Sequence, residues 1–333
     1  MFPTRERPLR PYEAVVRAVG ETRPSIHDFG PDAVVNDVLT LAPALAAELE
    51  AVPLATLVPH FYPPAAPGVP PYGLGAMPAR TPIGRAFWRA TAHPMSRGVE
   101  RGRRELNETR RRVGLPALAR WHGGISDRLC IVGTFPQLEY PRPWPDRVHV
   151  TGPLVWQPPG GDAEWAPGRG RRVLVAPSTA QDPGQTLLRA ALEGLADLPV
   201  RVLAVRRPGT DGLPQAPNAR LVEWVSYEGA MPRADLVICH AGHGTLATAL
   251  MHGAPVVTVP AAGDMAENGA RAQWAGAGLN LPGRLLSPRT LRWVAQRALD
   301  SPRLGARARE LAGWARTHDG ADAAARLVER FAR

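Results

Sequence analysis

The 333-residue sequence contains no lysine; all 40 of its Lys-or-Arg positions are arginine. With heavy use of Ala, Gly and Pro, this reads as a coding bias acting on the whole chain, so the net charge of +10 is weak evidence for any one partner. Cysteine is nearly absent too. Cys130 and Cys239 each sit inside an apolar run, which excludes a disulfide scaffold and a cysteine zinc cluster and fits a reducing, cytoplasmic compartment. No uninterrupted apolar run approaches the roughly 18 residues that suggest a membrane-spanning helix. The opening residues MFPTRERPLRPYE are polar, unlike a secretory signal. Gly (33) and Pro (37) are abundant. Their share stays below the roughly 25–30% that marks low-complexity disorder. The 44% of hydrophobic residues suffices for a sizeable core.

Charge concentrates in one place, residues 85–112, with Arg101, Arg103, Arg104, Arg110, Arg111 and Arg112. The plain reading is a solvated helix face. The functional reading is attraction to an acidic acceptor or to an anionic membrane surface, the latter placing the protein peripherally on the inner face of the membrane. Nucleic acid is not expected, because no stacking aromatics are interleaved.

The chain divides in two. Residues 32–39 (DAVVNDVL), then TLAPALAAELEAV, then PLATLVPHF read as strand, helix, strand. A Pro/Gly-rich loop follows at 61–80, then a basic helix at 84–113 and strands at 129–135 and 148–154. The stretch 156–172 (WQPPGGDAEWAPGRGRR) is the best linker. Beyond it, strands begin at 173, 200, 219, 235 and 254 and are interleaved with helices, with a helical tail at 288–333. Short connections between alternating strands and helices predict a doubly wound parallel sheet. The expected domains are 1–155 and 173–333, joined by 156–172.

The most informative segment is DLVICHAGHGTLATALMHGAPVVTVP. An apolar strand ends in His240-Ala241-Gly242-His243-Gly244-Thr245, and a helix begins at once. Unpaired N–H groups and the positive end of the helix dipole make that corner suited to a diphosphate. Thr245 adds a hydroxyl, and His240 stands at the strand tip. Many such corners bind nothing, so the local signal is modest.

The span Trp224–Gly278 resembles the nucleotide-binding signature of family 1 glycosyltransferases of the two-domain GT-B fold. The matching residues are Trp224-Val225, Leu236 to Thr245, Gly253-Ala254-Pro255, Pro260, and Asp264 followed by Asn268-Gly269-Ala270. VLVAPSTAQD looks like that family's first donor-domain strand and loop. Residues 31–60 and 129–153 look like the later part of its acceptor domain. The resemblance implies an α/β chain with two Rossmann-like parallel-sheet domains, the N-terminal one incomplete. It implies inverting transfer of a hexose from a UDP- or dTDP-sugar to a hydroxyl of a small amphipathic natural product or lipid, with no metal or other cofactor. In that reading Trp224 stacks on the base and the Val225 backbone pairs with its edge. Ser178 and Thr179 lie near the phosphates, and His240, Gly242, Gly244 and Thr245 hold the diphosphate. Asp264 binds sugar hydroxyls, Asn268 completes the donor motif, and His60 lines the acceptor cleft.

The pattern also departs from the family. Tyr227 stands where the family has Gln, Met265 replaces the sugar-binding Gln, and Thr248 replaces a ribose-binding Glu. A deoxyribose or a deoxygenated sugar would miss those groups less, which favours a dTDP-deoxysugar beside UDP-glucose. Asp37 matches the Asp that orients the family's catalytic His. The Gly-x-Gly-His-x-x-Pro segment bearing that His is not in the sequence, so the expectation is a chain that begins in the middle of the acceptor domain. Two rival readings follow: a non-catalytic GT-B binding or helper protein, and, more weakly, a GT-B sugar-nucleotide epimerase.

Overall fold

The computed structural model describes residues 12–119, 124–158, 160, 161, 163–178 and 181–333, without the side chains of 91–97. Helix α1 (Glu13–Phe29) comes first, then β1 (Val34–Asp37), α2 (Leu41–Leu49), β2 (Leu54–Val58), α3 (Pro82–Arg112), β3 (Leu129–Val132) and β4 (Val148–Val150). The four strands form a parallel sheet in the order β1-β2-β3-β4. Side chains alternate across it, as a pleat requires. Ala55, Leu57, Leu129 and Ile131 share one hydrophobic cluster, while Val58, Cys130 and Val132 belong to another. Helix α3 starts where Thr81 accepts the Gly84 N–H and Pro82 supplies a preset φ.

The second half contains β5 (Arg171–Ala176), α4 (Thr186–Leu195), β6 (Val200–Val205), β7 (Ala219–Val222) and the short α5 (Tyr227–Ala230). It continues with β8 (Leu236–Cys239), α6 (His243–Met251), β9 (Val256–Thr258), α7 (Met265–Trp274) and β10 (Gly278–Asn280). The tail is three helices, α8 (Pro288–Leu299), α9 (Pro302–Thr317) and α10 (Gly320–Phe331). These strands form a parallel sheet in the order β10-β9-β8-β5-β6-β7. Val173 and Val175 face a core with α4 and α8, and Leu174 and Ala176 face a core with α6 and α9. Each run is apolar on both faces, hence its continuous hydrophobicity.

Helix α10 crosses back to the first sheet. Its Ala324, Leu327, Val328 and Phe331 pack against Ala55, Leu129 and Ile131. The mutual position of the two sheets is therefore fixed by packing as well as by the connection between them. No helix among the described residues is long and apolar enough to cross a membrane.

Candidate functional site

The chain leaves β5 toward β6 on one side and reaches β8 on the other, so β5 and β8 are neighbours at the point where strand order reverses. Ligands of open parallel sheets bind outside the carboxyl ends of such strands. Ser178 follows β5 there, and its Oγ accepts the Gln181 N–H at 2.9 Å. His240 follows β8. Its Nδ1 lies 3.2 Å from the Ala176 carbonyl oxygen at the end of β5. A carbonyl only accepts, so Nδ1 carries the hydrogen and the neutral ring keeps its lone pair on Nε2. A methyl group on Gly242 would stand 2.4 Å from that Nε2. The absence of a side chain at Gly242 thus lets the imidazole lie over the N-cap of α6.

The turn itself is supported from beneath. Ala241 has φ +67°, a left-handed conformation costly for a residue with a Cβ. Its carbonyl accepts the Asn268 Nδ2–H at 2.9 Å, and Asn268 is wholly buried. Asp264, the N-cap of α7, approaches the same amide at 3.3 Å. Asn268 therefore holds the turn, and Asp264 stands half-exposed beside it. Gly244 is exposed with open space around it. Tyr227, from α5, lies beside Thr245, and burial pushes the Tyr227 phenol up to about 12. The Thr248 hydroxyl donates to the Gly244 carbonyl at 2.8 Å, so it is spent within α6. Thr179 lies outside the described residues.

Trp224 follows β7 and is 61% exposed, so it is not part of the core. Val225 beside it is half-buried against the second-sheet core. In the first half of the chain, His60 follows β2. Its Nδ1 lies 2.8 Å from the Phe61 carbonyl oxygen and 3.3 Å from the Tyr72 hydroxyl. Asp37 ends β1, and its Oδ1 accepts the Leu39 N–H at 2.7 Å. His243 joins the two halves: its Nε2 is 3.0 Å from Thr134 Oγ1, and its ring meets Phe61 edge-on. Burial, with a smaller contribution from His60, lowers its pKa to about 3, so it is neutral.

Comparison with known proteins identifies the family. Residues 187–325 match the family model described as the C-terminal domain of erythromycin biosynthesis protein CIII-like proteins. The 4'-demethylrebeccamycin synthase of Lentzea aerocolonigenes is 30% identical over 317 residues, covering 91% of this chain and 75% of that one. This chain belongs to the family 1 glycosyltransferases. A PGL/p-HBAD biosynthesis rhamnosyltransferase of Mycobacterium bovis is 28% identical over 292 residues, covering 83% of this glycosyltransferase and 60% of that protein. In structure, the glycotransferase of kitacinnamycin has a TM-score of 0.75 at 20% identity, over 95% of this chain and 80% of that one. The glycosyltransferase VinC, solved in complex with dTDP, has a TM-score of 0.68 at 18% identity, over 96% and 80%. The fold is GT-B, and the kind of enzyme is a glycosyltransferase of natural-product biosynthesis.

Two features of this glycosyltransferase were not legible beforehand. The arginines of α3 are largely consumed internally. Arg101 pairs with Glu105, Arg103 with Glu100, Arg110 with Glu48, Arg111 with Glu108, and Arg112 with Glu13 and Glu108. That pairing leaves the attraction to an anionic membrane without structural support in this half of the helix. The second feature is a buried charge network between the halves. Arg271 of α7 reaches Glu139 at 2.6 Å and Glu267 at 2.8 Å, and all three side chains are almost fully buried. Its guanidinium also lies 4.1 Å from the Tyr140 ring centre and 4.6 Å from that of Phe61. Burial alone would lower the Arg271 pKa, but the two carboxylates outweigh it and hold the group charged.

Proposed function

We propose that this glycosyltransferase binds a UDP- or dTDP-sugar at the carboxyl ends of β5 and β8 and transfers the hexose, with inversion, to a hydroxyl of a small amphipathic acceptor. The observation that carries this reading is the placement of His240 Nε2 over Gly242, at the open N-terminus of α6 and at the reversal point of the sheet. Ser178, Gly244 and Thr245 border the same corner, and Trp224 offers its face to a base. Thr179, between these strands in sequence, is assigned with them. Asp264 is the group for sugar hydroxyls, and His60 for the acceptor.

In the reaction, the acceptor oxygen attacks the anomeric carbon as the bond to the diphosphate breaks. The electron pair leaves on a phosphate oxygen, and the acceptor proton passes to a base on the acceptor side. The α6 amides and dipole face that developing charge without reorganising. Asp37, at the end of β1, is the residue assigned to orienting that base.

The test is calorimetric titration with dTDP and UDP. Replacing Trp224 by alanine removes a stacking face worth about 1–3 kcal/mol, so both nucleotides should bind roughly 5- to 150-fold more weakly. The thermal midpoint should stay within a few degrees, because the ring is exposed. Unchanged affinity would remove Trp224 from the donor site. Because Thr248 stands where a ribose-binding Glu would and its hydroxyl is spent inside α6, dTDP is expected to bind more tightly than UDP. A clear preference for UDP would reject that part.

A further inference from the structure

Residues 51–99 contain no Asp or Glu, yet they hold Arg80, Arg85, Arg89 and Arg97. The fold does not cancel this excess as it does farther along α3, where Arg101, Arg110 and Arg112 meet Glu partners. Arg80, Arg85 and Arg89 are all exposed, and among the described residues no carboxylate pairs with them. The Arg85 guanidinium reaches only the Arg80 carbonyl, at 3.5 Å. The same turns carry apolar side chains that the rest of the molecule leaves uncovered. Ile83 is 83% exposed and Phe87 58%. From Thr81 to Ala90 only Gly84 and Trp88 are less than exposed, so this end of α3 stands clear of the body, whereas Leu106 farther along is buried. Ile83 and Phe87 lie four residues apart and share a helix face. Arg85 and Arg89 are likewise four apart and begin two residues later, about 200° round the helix. One side is apolar and the opposite side basic, the division of a helix that lies in the plane of a bilayer surface. Just upstream, Leu74 and Met77 are exposed on either side of two fixed residues. A methyl group on Gly75 would stand 2.8 Å from the Ala266 Cβ, and the Ala76 carbonyl accepts the Tyr140 hydroxyl at 3.0 Å. A methyl group on Gly84 would stand 2.7 Å from the Ala79 Cβ, so the loop end also rests on the first turn of α3.

We propose that the first turns of α3, with Leu74 and Met77, form a surface that seats the molecule on an anionic lipid bilayer: Ile83 and Phe87 enter the boundary between headgroups and acyl chains, and Arg80, Arg85 and Arg89 meet lipid phosphates. Charge decides the occupant. A second copy of this chain would bring one acid-free arginine face against another, and like charges repel. An anionic bilayer offers negative charge and apolar depth at the same place, which suits both faces of the helix. The pinned loop keeps Leu74 and Met77 outward beside the helix, so the surface is held in one orientation relative to α7. This seating does not rest on the sugar-transfer function proposed above.

The experiment is co-sedimentation of the whole chain with vesicles of phosphatidylcholine alone and of phosphatidylcholine with one-third phosphatidylglycerol, with thermal midpoints and sedimentation velocity without vesicles alongside. The unaltered chain should bind the phosphatidylglycerol vesicles at least about tenfold more tightly than the neutral ones. Raising the salt from about 0.1 M to about 0.5 M should release most of it, because screening shortens the reach of the arginines. Arg85→Gln with Arg89→Gln should weaken binding about 25-fold, roughly fivefold for each arginine. Ile83→Ser with Phe87→Ser leaves the charge unchanged and should weaken binding at least about tenfold through lost apolar burial. Both pairs should keep the thermal midpoint within a few degrees, since the altered side chains are exposed. Should the serine pair fail to fold, the arginine pair still decides. No vesicle binding by the unaltered chain, equal binding to both vesicles, or binding that the arginine pair leaves unchanged overturns the proposal. Self-association in solution that Ile83→Ser with Phe87→Ser abolishes would also overturn it, in favour of a second copy as the occupant.

Discussion

Replacing Arg271 by methionine should destabilise the fold by about 3–5 kcal/mol, the usual cost of stranding a buried charge. Methionine keeps the length and apolar bulk of the stem, so the loss isolates the guanidinium. Without it, Glu139 and Glu267 remain nearly or fully buried, with no cation at 2.6 and 2.8 Å. The contacts with the Phe61 and Tyr140 rings also disappear. Arg271→Lys should lose less, keeping the charge but not the fork that serves two carboxylates. Adding Glu139→Gln and Glu267→Gln to Arg271→Met should restore much of the loss, because the stranded charges go with their partner. The pH dependence has a definite sign. Burial already pushes the Glu267 carboxyl above its ordinary 4.5, against the pull of Arg271. In Arg271→Met it rises further, so the native state holds a proton that the unfolded state releases. Stability of the variant then falls as pH climbs above the ordinary carboxylate value, and the deficit is larger near neutrality than in mild acid. Denaturant unfolding at both conditions measures it. A deficit under about 1 kcal/mol would show that the network is solvated and marginal.

The second large effect concerns His240. His240→Ala should weaken dTDP and UDP binding by about 1.5–3 kcal/mol, or roughly 10- to 150-fold, the worth of a hydrogen bond to a charged group. The geometry adds a sharper consequence. Nδ1–H is committed to the Ala176 carbonyl, so the neutral ring presents only a lone pair at Nε2 toward the α6 N-terminus. Two acceptors repel, and a diphosphate can be held there only by the protonated ring. Burial depresses the free His240 pKa below the ordinary 6.5, partly opposed by the Ala176 carbonyl and by Asp264 and Asp182. A bound diphosphate raises it. Between those two values binding takes up a proton, so affinity should fall as pH rises through the value in the complex. Calorimetry in buffers of different ionisation enthalpy reads the uptake directly. It should vanish in His240→Ala. Proton-neutral binding in the unaltered chain would contradict the tautomer assignment.

Much of this molecule was legible in its sequence. The parallel strands of the second half are continuous apolar runs bounded by Gly and Pro, and the corner after Cys239 announces itself by its glycines. What escaped has a physical pattern. Helix α1 carries Pro24 inside it, which reads as a helix breaker, and it packs on α2 through Val19 and Ile26. Strand β10 is three residues long and is defined by its pairing with β9. Glu267 and Arg271 look in sequence like one of many exposed i, i+4 pairs. Only the fold brings Glu139 to them across 132 positions and removes the water. The partners of the basic run of α3 were hidden for the same reason, because its acids lie partly on other elements, at Glu13 and Glu48. Asn268 belongs to the motif by spacing, but its buried amide shows that it serves the Ala241 turn.

The central claim is a nucleoside diphosphate held between β5 and β8 at the N-terminus of α6. A crystal structure of this chain with dTDP tests it most directly. The expected result places phosphate oxygens within hydrogen-bond distance of the Gly244 and Thr245 amides and of His240 Nε2, with the base against Trp224. A nucleotide bound elsewhere, or phosphates that leave His240 Nε2 and the α6 amides untouched, would contradict it.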